Sequence, residues 1–212
     1  MSNTWRWPID HVHHISGTAG PLTFVGGGGD FDSDGAIRNP GGLDAQIEGA
    51  VANISEGLVA ESCTLDDVVR LKAFHTTDSD DWEIIGKIAA HFPQEPMPAI
   101  SVVPEPLQPF DGQVIQIQAI AQRHWRQVSD IRVATRPVPP AHQGLFGGRD
   151  VTGGLRAGEF IAVANRTAED AEGRIADPAN GVAQSHTIMG YHEETLAKLG
   201  ATTQDSVKME GY

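Results

Sequence analysis

The sequence predicts an α+β fold built from a ββαβαββ unit, and three patterns support this prediction. Residues 43–58 carry one apolar stripe at helical spacing: Leu43, Ile47, Ala50, Val51, Ile54 and Leu58. A second amphipathic segment at 82–92 ends before Pro93, and Asp78 or Ser79 can cap it. Residues 98–121 then form two strands, 99–103 and 113–121, separated by a proline-rich loop.

The other elements follow from shorter patterns. Residues 22–25 form a strand that ends in four glycines, 36–37 form a short strand, and 68–74 form the middle strand. Residues 1–19 are irregular or form a short edge strand. The basic, proline-bearing stretch after residue 121 is a connector with one short strand at 131–135.

The chain then repeats its own beginning. Leu22 aligns with Phe160, an offset of 160 − 22 = 138, and this offset holds without a gap to the C-terminus. Matching glycines and prolines indicate that the same backbone turns recur. Tyr212 falls on Phe74, so the second copy stops at its middle strand. We expect a first unit at 1–125, a connector at 126–140, and the N-terminal half of a second unit at 141–212.

A unit without its second helix and closing strands would leave an open sheet edge and an uncovered apolar face. We therefore expect a companion chain, or the cleaved remainder of the same precursor, to complete the second unit.

Composition indicates an acidic globular protein. Of its 212 residues, 40% are hydrophobic and 20% are charged. The net charge of −13 disfavours nucleic acid, whose phosphates would be repelled, and favours a small-molecule or protein partner. No apolar run suits a membrane helix, and the first residues lack the apolar core of a signal peptide. The single cysteine, Cys63, excludes an internal disulfide, so we expect a cytoplasmic protein.

Several short segments form an ordered set that is specific as a whole. In the first unit they are 35–46 (GAIRNPGGLDAQ), 64–69 (TLDDVV), 81–82 (DW), 98–99 (PA) and 117–121 (IQAIA). In the second they are 155–160 (LRAGEF), 172–175 (EGRI), 183–184 (AQ) and 200–202 (GAT). On these segments the chain resembles the Rid family (YjgF/YER057c/UK114).

The resemblance implies a chorismate-mutase-like α+β fold, here one complete unit plus the N-terminal half of a second. It also implies an oligomer, usually a trimer around a central barrel, with pockets at the subunit interfaces. Many members hydrolyse small imines or enamines to ketones and release ammonia. That chemistry uses an arginine to clamp the substrate carboxylate and a second carboxylate near the attacking water.

The first unit departs from the family at both charged positions. Ile100 stands where the family has its arginine, and neutral Gln118 stands where it has its glutamate. Arg166 of the second unit could supply a positive charge in a shifted place, or it could be an ordinary surface arginine. The catalytic residues are therefore unknown at this stage. The candidate pocket consists of His13, Gly27, Ile100, Ser101, Gln118, Asn165 and Arg166.

Two metal-binding patterns are weak. Asp30, Asp32 and Asp34 resemble the start of a calcium loop, but the twelfth position is Gly41, so a solvated acidic turn is favoured. His11 and His13 would share a strand face without a third ligand that the sequence can place. We expect neither a metal nor a cofactor.

Two functions remain open. The chain is either a Rid-like deaminase or hydrolase acting on a small imine, enamine or related C–N compound, or a degenerate unit that serves assembly or ligand binding. The duplicated pattern favours the first, and the loss of both charged positions favours the second.

Overall fold

A five-stranded sheet forms the N-terminal part of the molecule. The computed structural model describes residues 5–7 and 14–211. The strands are β1 (Ser16–Ala19), β2 (Leu22–Gly28), β3 (Val68–His75), β4 (Ala99–Pro104) and β5 (Ile115–Gln122). Their order is β1-β2-β5-β3-β4, with β4 parallel to β3 and the other neighbours antiparallel. Two helices, α1 (Leu43–Ala60) and α2 (Asp81–Ala89), stand where the sequence predicted them. The strand predicted at 36–37 is wrong: Ile37 forms only an isolated bridge with Phe31, and the strand that pairs with β2 on its outer side is β1.

The hydrophobic core lies between the helices and one face of this sheet. Alternate residues of each strand point to this face, as Leu71 and Ala73 of β3 and Ile117 of β5 do, and all three are fully buried. The apolar stripe of α1 packs on them. The α2 cap differs from the prediction. Asp80 accepts a hydrogen bond from the backbone N–H of Trp82 at 2.8 Å, because the helix begins at the next residue.

The C-terminal part, residues 131–211, has a smaller sheet and one helix. Its strands are β6 (Ile131–Arg136), β7 (Val151–Ala157) and β8 (Phe160–Val163), and its helix is α3 (Gly181–Lys198). The predicted strand at 131–135 is thus β6. It lies inside the expected connector, 126–140, but it pairs with β7 as part of this sheet.

Local geometry recurs at the predicted offset. The Asp32 carboxylate accepts hydrogen bonds from the N–H groups two and four residues later, both at 2.9 Å. Asp170, at 170 − 32 = 138 residues further on, does the same at 3.0 and 2.9 Å. Thr64 and Thr202 each form a reciprocal capping pair with the aspartate three residues later. The sequence match is therefore also a match of backbone turns.

The recurrence ends after Asp205. Residues 206–211 form no strand, although β3 occupies the equivalent place in the N-terminal part. β3 lies between β4 and β5, and the described C-terminal part has no strands in those places to hydrogen-bond a third one. The helices differ for the same reason: α3 buries no residue fully, whereas α1 buries eight.

The two parts pack directly on each other. β7 and β8 lie beside β4 and β3, on the sheet face that points away from α1 and α2. Small side chains allow this close approach: Ala99 of β4 packs against Ala162 and Ala164. Trp125, 1% exposed, fills the space between Val69 and the second sheet. No helix in the described residues is long and apolar enough to span a membrane.

Candidate functional site

A pocket of about 250 Å³ opens where the two parts of the chain meet. We call it the interface pocket. The N-terminal part contributes the start of α2 and the two residues before it, and the C-terminal part contributes the end of β6 and the segment after β8. The lining residues are Ser79, Asp80, Asp81, Trp82, Ile85, Arg136, Asn165, Thr167 and Glu169.

Arg136 is the cationic group of this pocket. Arg136 is 9% exposed, and its guanidinium lies 4.1 Å from the ring centre of Trp82. Nη1 donates a hydrogen bond to the backbone oxygen of Asn165 at 3.3 Å. Its buried Nε has no hydrogen-bond partner within the described chain. A buried arginine with an unused donor is suited to accept a small anion.

The surroundings of Arg136 lower its affinity for a proton without discharging it. Burial lowers its pKa to about 10, the positive charge of Arg166 acts in the same direction, and Glu169 and Asp81 oppose both. The guanidinium is therefore charged at neutral pH. Arg166 is itself half-buried over the ring of Tyr191 at 4.4 Å, and burial lowers its pKa as well.

A carboxylate faces the same space. Asp81 lines the pocket with 34% of its side chain exposed, and its Oδ1 lies 3.1 Å from Nε2 of His75. His75 is 2% exposed, and its other ring nitrogen lies 3.2 Å from Oγ1 of Thr77. The imidazole ring of His75 thus fixes the position of the Asp81 carboxylate. A positioned carboxylate of this kind can accept a proton from, or orient, a water molecule.

Asn165 joins the two parts beside the pocket. Its side-chain oxygen accepts from the backbone N–H of Val102 at 3.2 Å, and its side-chain amide donates to the Val102 oxygen at 2.6 Å. Its backbone N–H donates to Oγ of Ser101 at 2.9 Å. β4 is the edge strand of the first sheet, so Asn165 provides hydrogen-bond partners for backbone groups of this edge that would otherwise lack them.

The structure divides the residues that the sequence singled out. Ser101, Asn165 and Arg166 lie together at the interface between the two parts. Ile100 lies elsewhere, because its side chain points under the helices and is 2% exposed in the core. Ile100 does not line the interface pocket.

Gln118 and Gly27 lie in another region, on the face of the first sheet away from the helices. Gln118 lines a second pocket of about 300 Å³ on this open face. Gly27 has a positive φ of 32° and accepts a hydrogen bond from Nε1 of Trp7 at 3.3 Å. His13 lies outside the described residues. The described chain therefore does not bring the seven candidate residues together in a single site.

Two contributors to the interface pocket were missed by reasoning from the sequence. Arg136 follows an apolar strand in a segment noted only as basic, and Asp81 was noted only as part of an aspartate–tryptophan pair. Neither has a local motif that marks a ligand site. Their proximity depends on how the second sheet docks beside β4.

The acidic turn that contains Asp30, Asp32 and Asp34 is largely the solvated turn that the sequence favoured over a calcium loop. Asp32 uses its carboxylate on its own turn, and those hydrogen bonds lower its pKa. Asp30 is different: it is 1% exposed and binds the Asn39 backbone N–H at 2.9 Å and Arg38 at 3.4 Å. The expectation of solvation is wrong for Asp30. Among residues 5–7 and 14–211, no cluster of three or more potential metal ligands occurs, and His11 lies outside this set.

Comparison with known families identifies the N-terminal part. The family model described as Endoribonuclease L-PSP matches residues 10–123, more than half of the chain. Solved structures of Rid-family proteins match the same fold. The chain belongs to the Rid family, and it has that family's α+β fold. Such membership supports, in general terms, a role in converting or binding small molecules.

Three solved structures illustrate the similarity. Yeast Mmf1 is 20% identical with a TM-score of 0.51, covering 57% of this chain and 95% of its own. YyfA of the Rid family from Yersinia pestis is 20% identical with a TM-score of 0.50, covering 57% and 94%. RidA from an Antarctic Psychrobacter species is 23% identical with a TM-score of 0.48, covering 56% and 98%. No curated protein matches the chain.

Proposed function

We propose that this protein acts on a small carboxylate-bearing imine, enamine or related C–N compound, and that it does so at the interface pocket. Arg136 binds the substrate carboxylate there, replacing the arginine that Ile100 cannot provide. Asp81, held by His75, directs the water that attacks the imine carbon. Water adds to the C=N carbon, ammonia leaves, and a ketone is formed.

The observation that carries this proposal is the buried, unused Nε of Arg136 beside the carboxylate of Asp81. The family chemistry requires one cation for the substrate and one carboxylate for water. Ile100 and Gln118 supply neither, and the interface pocket contains both. Trp82 under the guanidinium fixes its plane, which is what a two-point contact with a carboxylate needs.

A second candidate function is binding without turnover. The uncharged Ile100 and Gln118 favour it, because a unit that has lost both catalytic positions can still present a pocket. An endoribonuclease activity, which the description of the family model names, is disfavoured by the net charge of −13.

Oligomerisation around a central barrel belongs to the same proposal, and membership of the Rid family supports it. Sedimentation measurements of the purified protein test it.

The decisive experiment measures ammonia release from freshly generated 2-aminoacrylate. We expect Arg136→Met to lower kcat/KM about 10- to 100-fold, since a hydrogen bond to a charged group contributes about 1.5–3 kcal/mol. Asp81→Asn should lower kcat more than it changes KM. The matched control is Arg174→Met, because Arg174 is an exposed arginine that lies outside the pocket.

Calorimetry with pyruvate, the ketone product, separates the two candidates. Pyruvate binding that Arg136→Met weakens, without ammonia release from the wild type, indicates a binding protein. A wild type that neither releases ammonia nor binds pyruvate contradicts the proposal.

A further inference from the structure

The C-terminal segment, residues 206–211, crosses the open face of the first sheet and places one carboxylate among cations. Oε2 of Glu210 lies 2.7 Å from Nζ of Lys72 and 3.8 Å from Nη2 of Arg70. Its Oε1 lies 3.0 Å from Nζ of Lys208, two residues earlier in the same segment. Glu210 is therefore bound much as a ligand carboxylate would be.

The surface that Glu210 contacts belongs to the first sheet. Arg70 and Lys72 point to the same face of β3 because they are two residues apart on one strand. Gln118 of β5 is the register partner of Lys72 and lines the same pocket. The two neighbouring cations give this face a local positive charge, whereas the chain as a whole has a net charge of −13.

Burial makes the charge of Lys72 depend on an anion, whereas 25% of the Arg70 side chain is exposed. The side chain of Lys72 is 9% exposed, and its ammonium lies 4.7 Å from the ring centre of Phe74. The Nε of Arg70 is buried and has no hydrogen-bond partner in the described chain. Charges taken out of water are costly unless they are paired and hydrogen-bonded. The face therefore favours a carboxylate, and it retains a donor that Glu210 does not use.

The segment that delivers Glu210 is otherwise loosely attached. It has no regular secondary structure, Val207 is fully exposed, and Met209 is 58% exposed. The strong contact is the carboxylate itself: hydrogen bonds from Lys72 and Lys208 lower the pKa of Glu210 to about 2. Among the described ion pairs, Glu210 is the residue of this segment that contacts Arg70 and Lys72, and another group that offers a carboxylate can exchange for it.

We propose that the open-face pocket is a carboxylate-binding site that Glu210 occupies as an internal ligand. Its external ligand is a small carboxylic acid with a short hydrocarbon body, which displaces the segment. The carboxylate takes the place of the Glu210 carboxylate on Arg70 and Lys72. The hydrocarbon lies in the remaining space of about 300 Å³, against Phe24 and Ile120.

This site is separate from the interface pocket, and it does not depend on the proposed function. The lining residues of the two pockets do not overlap. A failure of the proposed activity at the interface pocket and a failure of butanoate binding at this site can therefore be told apart.

The test measures binding of butanoate, with butanamide as the uncharged isostere, to the full chain by calorimetry. A tethered group competes at millimolar effective concentration, so removing its charge should strengthen external binding. We expect Glu210→Gln to bind butanoate at least 10-fold more tightly than the wild type. The matched control is Glu48→Gln, an exposed glutamate on α1, which should bind like the wild type.

Two comparisons establish where the ligand binds. Adding Lys72→Met to Glu210→Gln should abolish butanoate binding, and butanamide should not bind either variant. Equal affinity of the wild type and Glu210→Gln, or binding that survives Lys72→Met, overturns the proposal.

A measurement on the wild type avoids any folding defect of the variants. The ¹³C signal of the Glu210 side-chain carboxyl should move toward that of a solvated glutamate as butanoate is added, and butanamide should leave it in place. A signal that saturating butanoate does not move also overturns the proposal.

Discussion

Replacing Asn165 by alanine tests whether one side chain joins the two parts of this molecule. The asparagine makes two side-chain hydrogen bonds, at 3.2 and 2.6 Å, to the backbone of Val102 on edge strand β4. Val102 is 0% exposed, so water cannot take over these contacts without opening the interface. The variant leaves one N–H and one C=O without partners.

The expected loss of stability follows from those two groups. Leaving a buried backbone group unsatisfied costs about 1–3 kcal/mol. Since the strand edge can relax toward solvent, we expect a total of about 2–4 kcal/mol for Asn165→Ala. The Ser101 contact survives, because it is made by the backbone N–H of residue 165.

The assay is urea unfolding followed by far-UV circular dichroism and tryptophan fluorescence. The control is Asn180→Ala, which removes an exposed helix cap and should cost about 1 kcal/mol. If the docking of the two parts becomes weak, the fluorescence and dichroism transitions should separate. A coincident transition with a loss no larger than that of Asn180→Ala refutes the reasoning.

Three further outcomes are expected. Gly27→Ala should destabilise the protein by about 1–2 kcal/mol in the same urea assay, because φ at this position is +32°; unchanged stability would contradict the strain argument. Asp67→Ala should cost about 2–3 kcal/mol, because its carboxylate accepts two backbone N–H groups at 2.7 and 2.9 Å and is largely buried, while Asp205→Ala at the exposed counterpart should cost less. Glu210 should titrate near pH 2 by ¹³C NMR instead of at its ordinary 4.5: its folded pKa is depressed, so the contact stabilises the fold above about pH 4.5 and is lost as the pH falls through about 2. Lys72→Met should return the pKa of Glu210 toward 4.5, and an unchanged value would show that Lys72 is not its main partner.

Much of the N-terminal part could be predicted from the sequence. The apolar stripe of α1 and the alternation in β5 are periodic patterns, and a periodic pattern shows which face is buried without knowledge of the neighbours. The glycine and proline positions of the repeat predicted turns that recur in atomic detail, as at Asp32 and Asp170. Turns depend on local dihedral preferences, so sequence is enough to specify them.

The site could be predicted only in part. The sequence analysis gave Ser101, Asn165 and Arg166, which do meet at the interface between the two parts. It also gave Ile100, whose side chain points into the core, and Gln118, which lies on another pocket. It gave no indication that Arg136 and Asp81 belong to a site, because nothing in the residues adjacent to either one shows that they lie near each other.

The sequence by itself determined the family and the order of the two helices and of strands β2 to β5. These depend on residue identity and on short-range periodicity. Only the tertiary structure decided that Arg136 is buried beside Asp81, and that Glu210 reaches Lys72 across 210 − 72 = 138 positions. Both contacts depend on how the second sheet and the C-terminal segment pack on the first sheet. Such packing is governed by the summed contacts of many small side chains, and no single stretch of sequence encodes it.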